Sequence, residues 1–224
     1  MGRSLFDPGY AELPDRLPIF PLPGVLLLPG GRLPLNIFEP RYLAMTRRAL
    51  AGPRLIGMIQ PKDDGTFETG SRPVYPVGCA GRIVSFSETD DGRYLIALSG
   101  LIRFRVGAEL PRDEEGFRWV EPDYAPYRGD LAPDGGPFDR PALLGALKSY
   151  FERHNLSADW QAVEKADDER LVTSLAMLCP FEPSEKQVLL EAAGLSERAA
   201  AMTTILAMAV HQPGLEPEGP ARPN

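Results

Sequence analysis

The stretch LPIFPLPGVLLLPGGRLPLNIFEPRY, Leu17 to Tyr42, decides the fold. It is one of the most apolar segments of the chain, and it carries six prolines: Pro18, Pro21, Pro23, Pro29, Pro34 and Pro40. An apolar run implies a buried strand, a buried helix or a membrane span, and proline damages all three. In a sheet it cannot donate to the ladder, so it survives on edge strands, at strand starts and at bends. The segment therefore reads as short strands that turn sharply. That is the construction of a small open barrel or pseudo-barrel, with edges kept short and blunted.

The residues that follow continue the pattern. Leu17–Leu22, Leu33–Phe38, Leu55–Gln60, Val77–Ser87, Arg93–Leu98, Ile102–Ala108 and Phe117–Tyr124 read as strands. Asp63-Asp64-Gly65, Asp90-Asp91-Gly92 and Glu114-Glu115-Gly116 punctuate them as turns, where glycine supplies positive φ. One helix interrupts the strands, from Arg41 to Ala51. Pro40 stands at its start, where a missing amide costs nothing, and Gly52 is placed to close it in the left-handed conformation.

Beyond residue 128 the period changes. GDLAPDGGP, Gly129 to Pro137, reads as a linker or long loop. Leu143, Leu147, Tyr150 and Phe151 repeat at helical spacing, as do Leu171, Leu175 and Leu178 before Pro180. Asp167-Asp168 suits a helix start. Ser184 and Gln187 have capping-box spacing, Gly194 ends that short helix, and Ser196 is placed to cap a last one from Glu197 to about His211. The tail Pro213–Asn224 is expected to be disordered. The expected fold class is α+β: an N-terminal β-rich pseudo-barrel with one inserted helix (1–128), a linker or long loop (129–139), a C-terminal α-helical bundle (140–212) and the tail (213–224).

The chain has 224 residues, enough for a sizeable core, with 43% hydrophobic and 25% charged residues. Net charge is −7; residues 1–128 hold 16 basic and 16 acidic side chains, and residues 129–224 hold 8 and 15. The excess is thus confined to the second part. It argues against nucleic acid, which rewards basic surface. Cys79 and Cys179 form no CxxC pair and suit a reduced cytoplasmic protein, although a single long-range disulfide between them stays open. No run of about 20 apolar residues exists, so no membrane span is expected.

The order LPIFPLPGVLLLPGGRLPLNIFEPRYLAM resembles the N-terminal substrate-binding domain of the Lon family. VGCAGRI (Val77–Ile83) is similar to that family's glycine-containing central strand, and ALSGLIRFRV (Ala97–Val106) to its paired strands around a glycine and an arginine. Arg140 to His211 matches its helical extension in kind more than in motif, so the resemblance covers roughly residues 15–211. It implies a polypeptide-binding, substrate-recognition module that takes unfolded or client polypeptides; delivery of those clients to a separate ATP-dependent protease, as an adaptor, is a further expectation. Full-length Lon proteases add an ATPase and a serine–lysine peptidase. This sequence holds no Gly-Lys pair for a P-loop, and its Lys148–Ser149 neighbours diverge on a helix. A stand-alone, non-enzymatic form is therefore expected.

His154 and His211 have no metalloprotease spacing, and no cofactor or metal is expected. Three readings of Ile37–Tyr42 stay open. In the first, Phe38 enters the core, Pro40 starts the helix, and Glu39 or Arg41 pairs nearby. In the second, the corner rims a polypeptide groove. In the third, Arg41, Arg47 and Arg48 form a basic patch for an acidic partner. The candidate polypeptide-binding residues are Phe38, Glu39, Arg41, Tyr42, Phe86 and Tyr94, with Phe20 as a further aromatic to test. Two rival functions remain: a scaffold that binds one folded partner through the acidic helical half, and a cryptic hydrolase using Cys79, Cys179 or Lys148.

Overall fold

A computed structural model describes residues 5–62, 72–112, 114–132 and 135–211. The Asp63-Asp64-Gly65 turn and the tail from Pro213 lie outside them. The first part holds strands β1 (Leu17–Pro21), β2 (Arg32–Ile37), β3 (Leu55–Ile59), β4 (Val77–Glu88), β5 (Tyr94–Leu110) and β6 (Arg118–Asp123), with helix α1 (Pro40–Leu50) between β2 and β3. The second holds α2 (Arg140–Arg153), α3 (Trp160–Lys165), α4 (Asp168–Leu178), α5 (Pro183–Glu191) and α6 (Leu195–His211). The α+β architecture read from sequence is therefore present.

The sheet runs β2-β5-β4-β3-β1-β6, and an extra β5–β6 pairing closes β5, β4, β3, β1 and β6 into a ring. Strand β2 hangs outside the ring, paired only to the first half of β5. Pro34 sits on this outer strand, as a residue without an amide must. Strand β1 is inside the ring, yet carries two prolines. Its register resolves the conflict. Leu17–Ile19 face β6, Ile19–Pro21 face β3, and only Ile19 has partners on both sides. Pro18 and Pro21 thus each occupy a one-sided stretch of the ladder.

The two strands read as Arg93–Leu98 and Ile102–Ala108 are one continuous strand. Gly100 lies between them and does not break it, because the residue is needed for close approach rather than for a turn. It is bonded to the apolar loop above: the Gly30 amide donates to the Gly100 carbonyl at 3.0 Å, and the Gly100 amide to the Gly31 carbonyl at 2.9 Å. Opposite it, Gly81 leaves room for Leu27. The two described acidic-glycine turns behave as expected, with φ +78° at Gly92 and +89° at Gly116. Gly52 does not. It is not left-handed, and the chain reverses after α1 at Arg54, with φ 61°.

Two apolar cores result. One fills the ring with Leu17, Ile19, Leu55, Ile102, Phe104 and Val120. The other is shared: Leu26–Leu28 from the apolar loop and Ile83 and Leu98 from the sheet pack in one cluster with Leu143, Val172, Leu189 and Leu206 from the helices. Polar staples cross the same boundary. Gln60 Nε2 donates to the Pro183 carbonyl at 2.8 Å, Lys186 Nζ to the Gly24 carbonyl at 2.6 Å, and Gln187 Nε2 to the Val77 carbonyl at 3.1 Å.

The strongest staple is Arg103, 3% exposed on β5. Its guanidinium grips Asp130 through Nε (2.9 Å) and Nη2 (2.7 Å), and also donates to the Leu190 and Ala193 carbonyls at 3.0 and 3.3 Å. A cation thereby caps the carbonyl end of α5. Asp130 belongs to a 3-10 turn, Ala125–Leu131, so the start of the segment read as a loop is ordered against the barrel.

Two helix starts differ from the sequence reading. Glu182, not Ser184, caps α5, with its amide donating to Glu185 Oε2 at 2.9 Å; Pro183 takes the first helical position and carries Ser184 inside. Ser196 lies within the first turn of α6 and donates instead to the Pro137 carbonyl at 2.6 Å. Asp167 does cap α4, accepting from the Arg170 amide at 2.9 Å.

Candidate functional site

The corner around Ile37–Tyr42 is ordered by local chemistry. Pro40 is the first residue of α1, and the half-exposed Glu39 and exposed Arg41 pair at 2.8 Å. Tyr42 is buried, its ring 4.2 Å from that of Phe20, which is also buried, and 4.5 Å from the Arg41 guanidinium. Phe38 is not in the core: it is 61% exposed, just past the end of β2, with the Arg93 guanidinium 6.0 Å from its ring. The reason is alternation. Ile37 pairs with buried Tyr94 and takes the inward position, which leaves its successor outside.

Phe86 and Tyr94 meet edge-on at 5.1 Å on the inward side, with Phe86 half exposed at the rim. Tyr94 is buried, and its hydroxyl accepts from Arg47 Nη1 at 3.4 Å; Arg47 also lies 3.5 Å from Glu115. The structure thus unites Glu39, Arg41 and Tyr42, and separately Phe86 and Tyr94. No ring contact joins Phe38 to either aromatic among the described residues. Arg41 and Arg47 have acidic neighbours, so the basic-patch reading loses two of its three members to local pairs.

A larger apolar surface lies in the helical half. Phe151, Leu156, Val163, Leu171, Leu175 and Leu178 line an open groove of about 640 Å³ between α2, α3 and α4. Leu178 at its lip is 80% exposed and Leu156 40%. The walls are firmly set. Arg140 closes the carbonyl end of α3, donating to Val163, Glu164 and Ala166 at 3.1, 3.0 and 2.9 Å, and it pairs with Asp168 at the start of α4. Asp159 caps α3, accepting from the Ala162 amide at 3.1 Å. Trp160 packs edge-on against Phe151 at 5.6 Å.

Sequence reading missed this groove because it missed α3. The six-residue helix WQAVEK is half polar and too short for a clear period. Its legible signals were Asp159 in the capping position and the Trp160–Val163 spacing of three.

The groups considered for hydrolysis are paired or buried. Lys148 lies 3.6 Å from Glu164, and Ser149 Oγ donates back to the Gly145 carbonyl at 3.3 Å. Cys79 and Cys179 are free and buried. Burial raises both thiols, Cys179 to about 11 against the opposing charge of Lys186, so neither is a ready thiolate at neutral pH. In the folded protein at pH 8, both thiols are expected to react with DTNB at least about 100-fold more slowly than free cysteine. Both should react at once in denaturant. Fast labelling of the native state would contradict this picture.

The sequence model of the family described as "ATP-dependent protease La (LON) substrate-binding domain" matches residues 16–208. Lon protease 2 of Myxococcus xanthus is 30% identical over 109 residues, 47% of this chain and 13% of that protein. The Lon protease of Cytophaga hutchinsonii is 25% identical over 195 residues, 84% of this chain and 23% of that protein. The chain therefore spans less than a quarter of the length of these curated relatives. The crystal structure of a Lon N-terminal domain protein from Xanthomonas campestris matches 84% of this chain and 97% of its own, with TM-score 0.57 and 24% identity. The N-terminal domain of a Mycobacterium avium complex Lon protease matches 86% and 98%, with TM-score 0.58 and 16% identity. At such identities these two structures speak for the fold.

Proposed function

Because the chain belongs to the family of Lon substrate-binding domains, we propose that it holds segments of unfolded polypeptide in the groove between α2, α3 and α4. The observation that carries this reading is Leu178, a large apolar side chain 80% exposed at the lip of a mostly apolar depression. Exposed apolar patches of this kind mark places where soluble proteins take a partner. In this reading the chain does no chemistry of its own. It captures clients for a separate ATP-dependent protease, and the buried thiols and the Lys148–Glu164 pair are in keeping with that.

The folded-partner scaffold rested on the acidic excess after residue 128. Much of that acid has a structural use. Asp139, Asp159 and Asp167 cap helices, Asp130 holds Arg103, and Asp168 pairs with Arg140. The observation behind the scaffold weighs correspondingly less.

The test is a titration against a fluorescent unfolded protein, with and without ATP, followed by gel over time. Binding without cleavage and indifferent to ATP is expected. Leu178→Ser should weaken it about 10-fold, the share of one leucine's burial, while stability changes by no more than about 0.5 kcal/mol at so exposed a site. Phe38→Ser should leave binding intact. If Phe38→Ser weakens binding and Leu178→Ser does not, the sheet corner rather than the groove is the site. No binding at all would overturn the reading.

A further inference from the structure

The groove has a charge sign as well as an apolar floor. Its two charged lining residues among the described residues are Lys165 and Arg170, both basic, and no described carboxylate lines it. This occurs within a half that holds 8 basic and 15 acidic side chains. The nearby carboxylates are engaged elsewhere. Glu164 faces Lys148 at 3.6 Å, Asp168 pairs with Arg140, and Asp167 caps α4. Asp167 does compete for Arg170, but at 3.8 Å between two well-exposed side chains, so that pair is weak. Lys165 makes no ion pair through its ammonium among the described residues.

We infer that the groove selects polypeptide segments in which an acidic residue lies close to a bulky apolar one, the carboxylate meeting Lys165 and Arg170 and the apolar side chain meeting Leu178. This rests on the proposed polypeptide-holding role of the groove and adds selectivity to it. The geometry also sets a spacing. Arg170, Ser174 and Leu178 form an exposed stripe at i, i+4 and i+8 along α4. Eight residues of helix span about 12 Å. An extended peptide covers that distance in about four residues. The favoured segment therefore carries its acid about four residues from its apolar anchor.

The experiment uses the full chain and three fluorescent peptides with one apolar core, flanked by Glu, Ser or Lys. At low salt the Glu peptide should bind about 5-fold more tightly than the Ser peptide, and the Lys peptide more weakly still, as exposed ion pairs allow. Added salt should compress the three affinities together. The double variant Lys165→Glu/Arg170→Glu should reverse the order, and Lys165→Ala/Arg170→Ala should flatten it, with circular dichroism confirming that both fold. Equal affinity of the three peptides for the parent chain would overturn the inference and leave the polypeptide-binding reading standing. Failure of all three to bind would overturn both. An order unchanged in the charge-reversed variant would also sink the selectivity, since a merely structural role for these residues would not set it.

Discussion

Gly100→Val is expected to produce a chain that no longer holds its fold at room temperature. A Cβ at that position would stand 2.0 Å from the Leu28 carbonyl oxygen and 2.8 Å from its carbon. The obstacle is backbone, so no side-chain rotation relieves it. Nor can the loop back away cheaply, because two hydrogen bonds at 2.9 and 3.0 Å tie it to Gly100 itself. If it lifts, Leu27 and Leu28 leave positions where they are 1% and 0% exposed. Each such leucine is worth about 1.5–3 kcal/mol. The loss is therefore about 4 kcal/mol or more, against a net stability of about 5–15 kcal/mol for a domain. Thermal melts by circular dichroism, with soluble yield, measure it. Gly145→Ala is the control: it is exposed within α2, nothing lies within 4 Å, and a helix gains about 0.5–1 kcal/mol from the change. A Gly100→Val protein that melts within a few degrees of the parent would overturn the account.

Asp130→Ala should be nearly as severe. It strands Arg103, whose side chain is 4% exposed, as a buried cation left with backbone carbonyls and the Tyr127 ring but no counter-charge. Burial opposes the charge on this guanidinium, and the hydrogen bond and charge of Asp130 more than offset it. Removing one partner of such a pair costs about 3–5 kcal/mol. The double variant Arg103→Met/Asp130→Ala should lose less than the sum of the two single losses, since no unpaired charge remains. Urea titrations of the three variants give the comparison, and additivity would show that the pair is not coupled.

Many local signals reached the structure, although Gly52, Ser184 and Ser196 do not take the capping places their spacing suggested. Proline spacing foretold the short strands of the opening segment, and Gly92 and Gly116 turn as their Asp-Gly and Glu-Gly settings require. Asp167 caps because it precedes a helical period. What stayed hidden is set by distant partners. Gly100 looks like a break, and only Leu28 arriving from seventy residues earlier explains it as a contact. Phe38 looks like core, but its side of the sheet depends on which neighbour pairs with Tyr94. Leu178 shares a helical stripe with Leu171 and Leu175, and nothing in the chain order tells that cover stops before the last turn. The groove is for the same reason a property of three helices together and of none singly.

The β1–β6 pairing has a consequence for timing. It joins Leu17 to Val120, so the ring cannot close until nearly all of the first 123 residues exist as chain. During synthesis β1 emerges about 100 residues before β6 and waits that long for its antiparallel neighbour. Pairings of such long separation are slow to form, and they leave unpaired strand exposed meanwhile. The prolines of β1 have a second role in that interval. A strand with Pro18 and Pro21 offers few donors to a stray partner, so the nascent segment is a poor template for aggregation before its own barrel arrives.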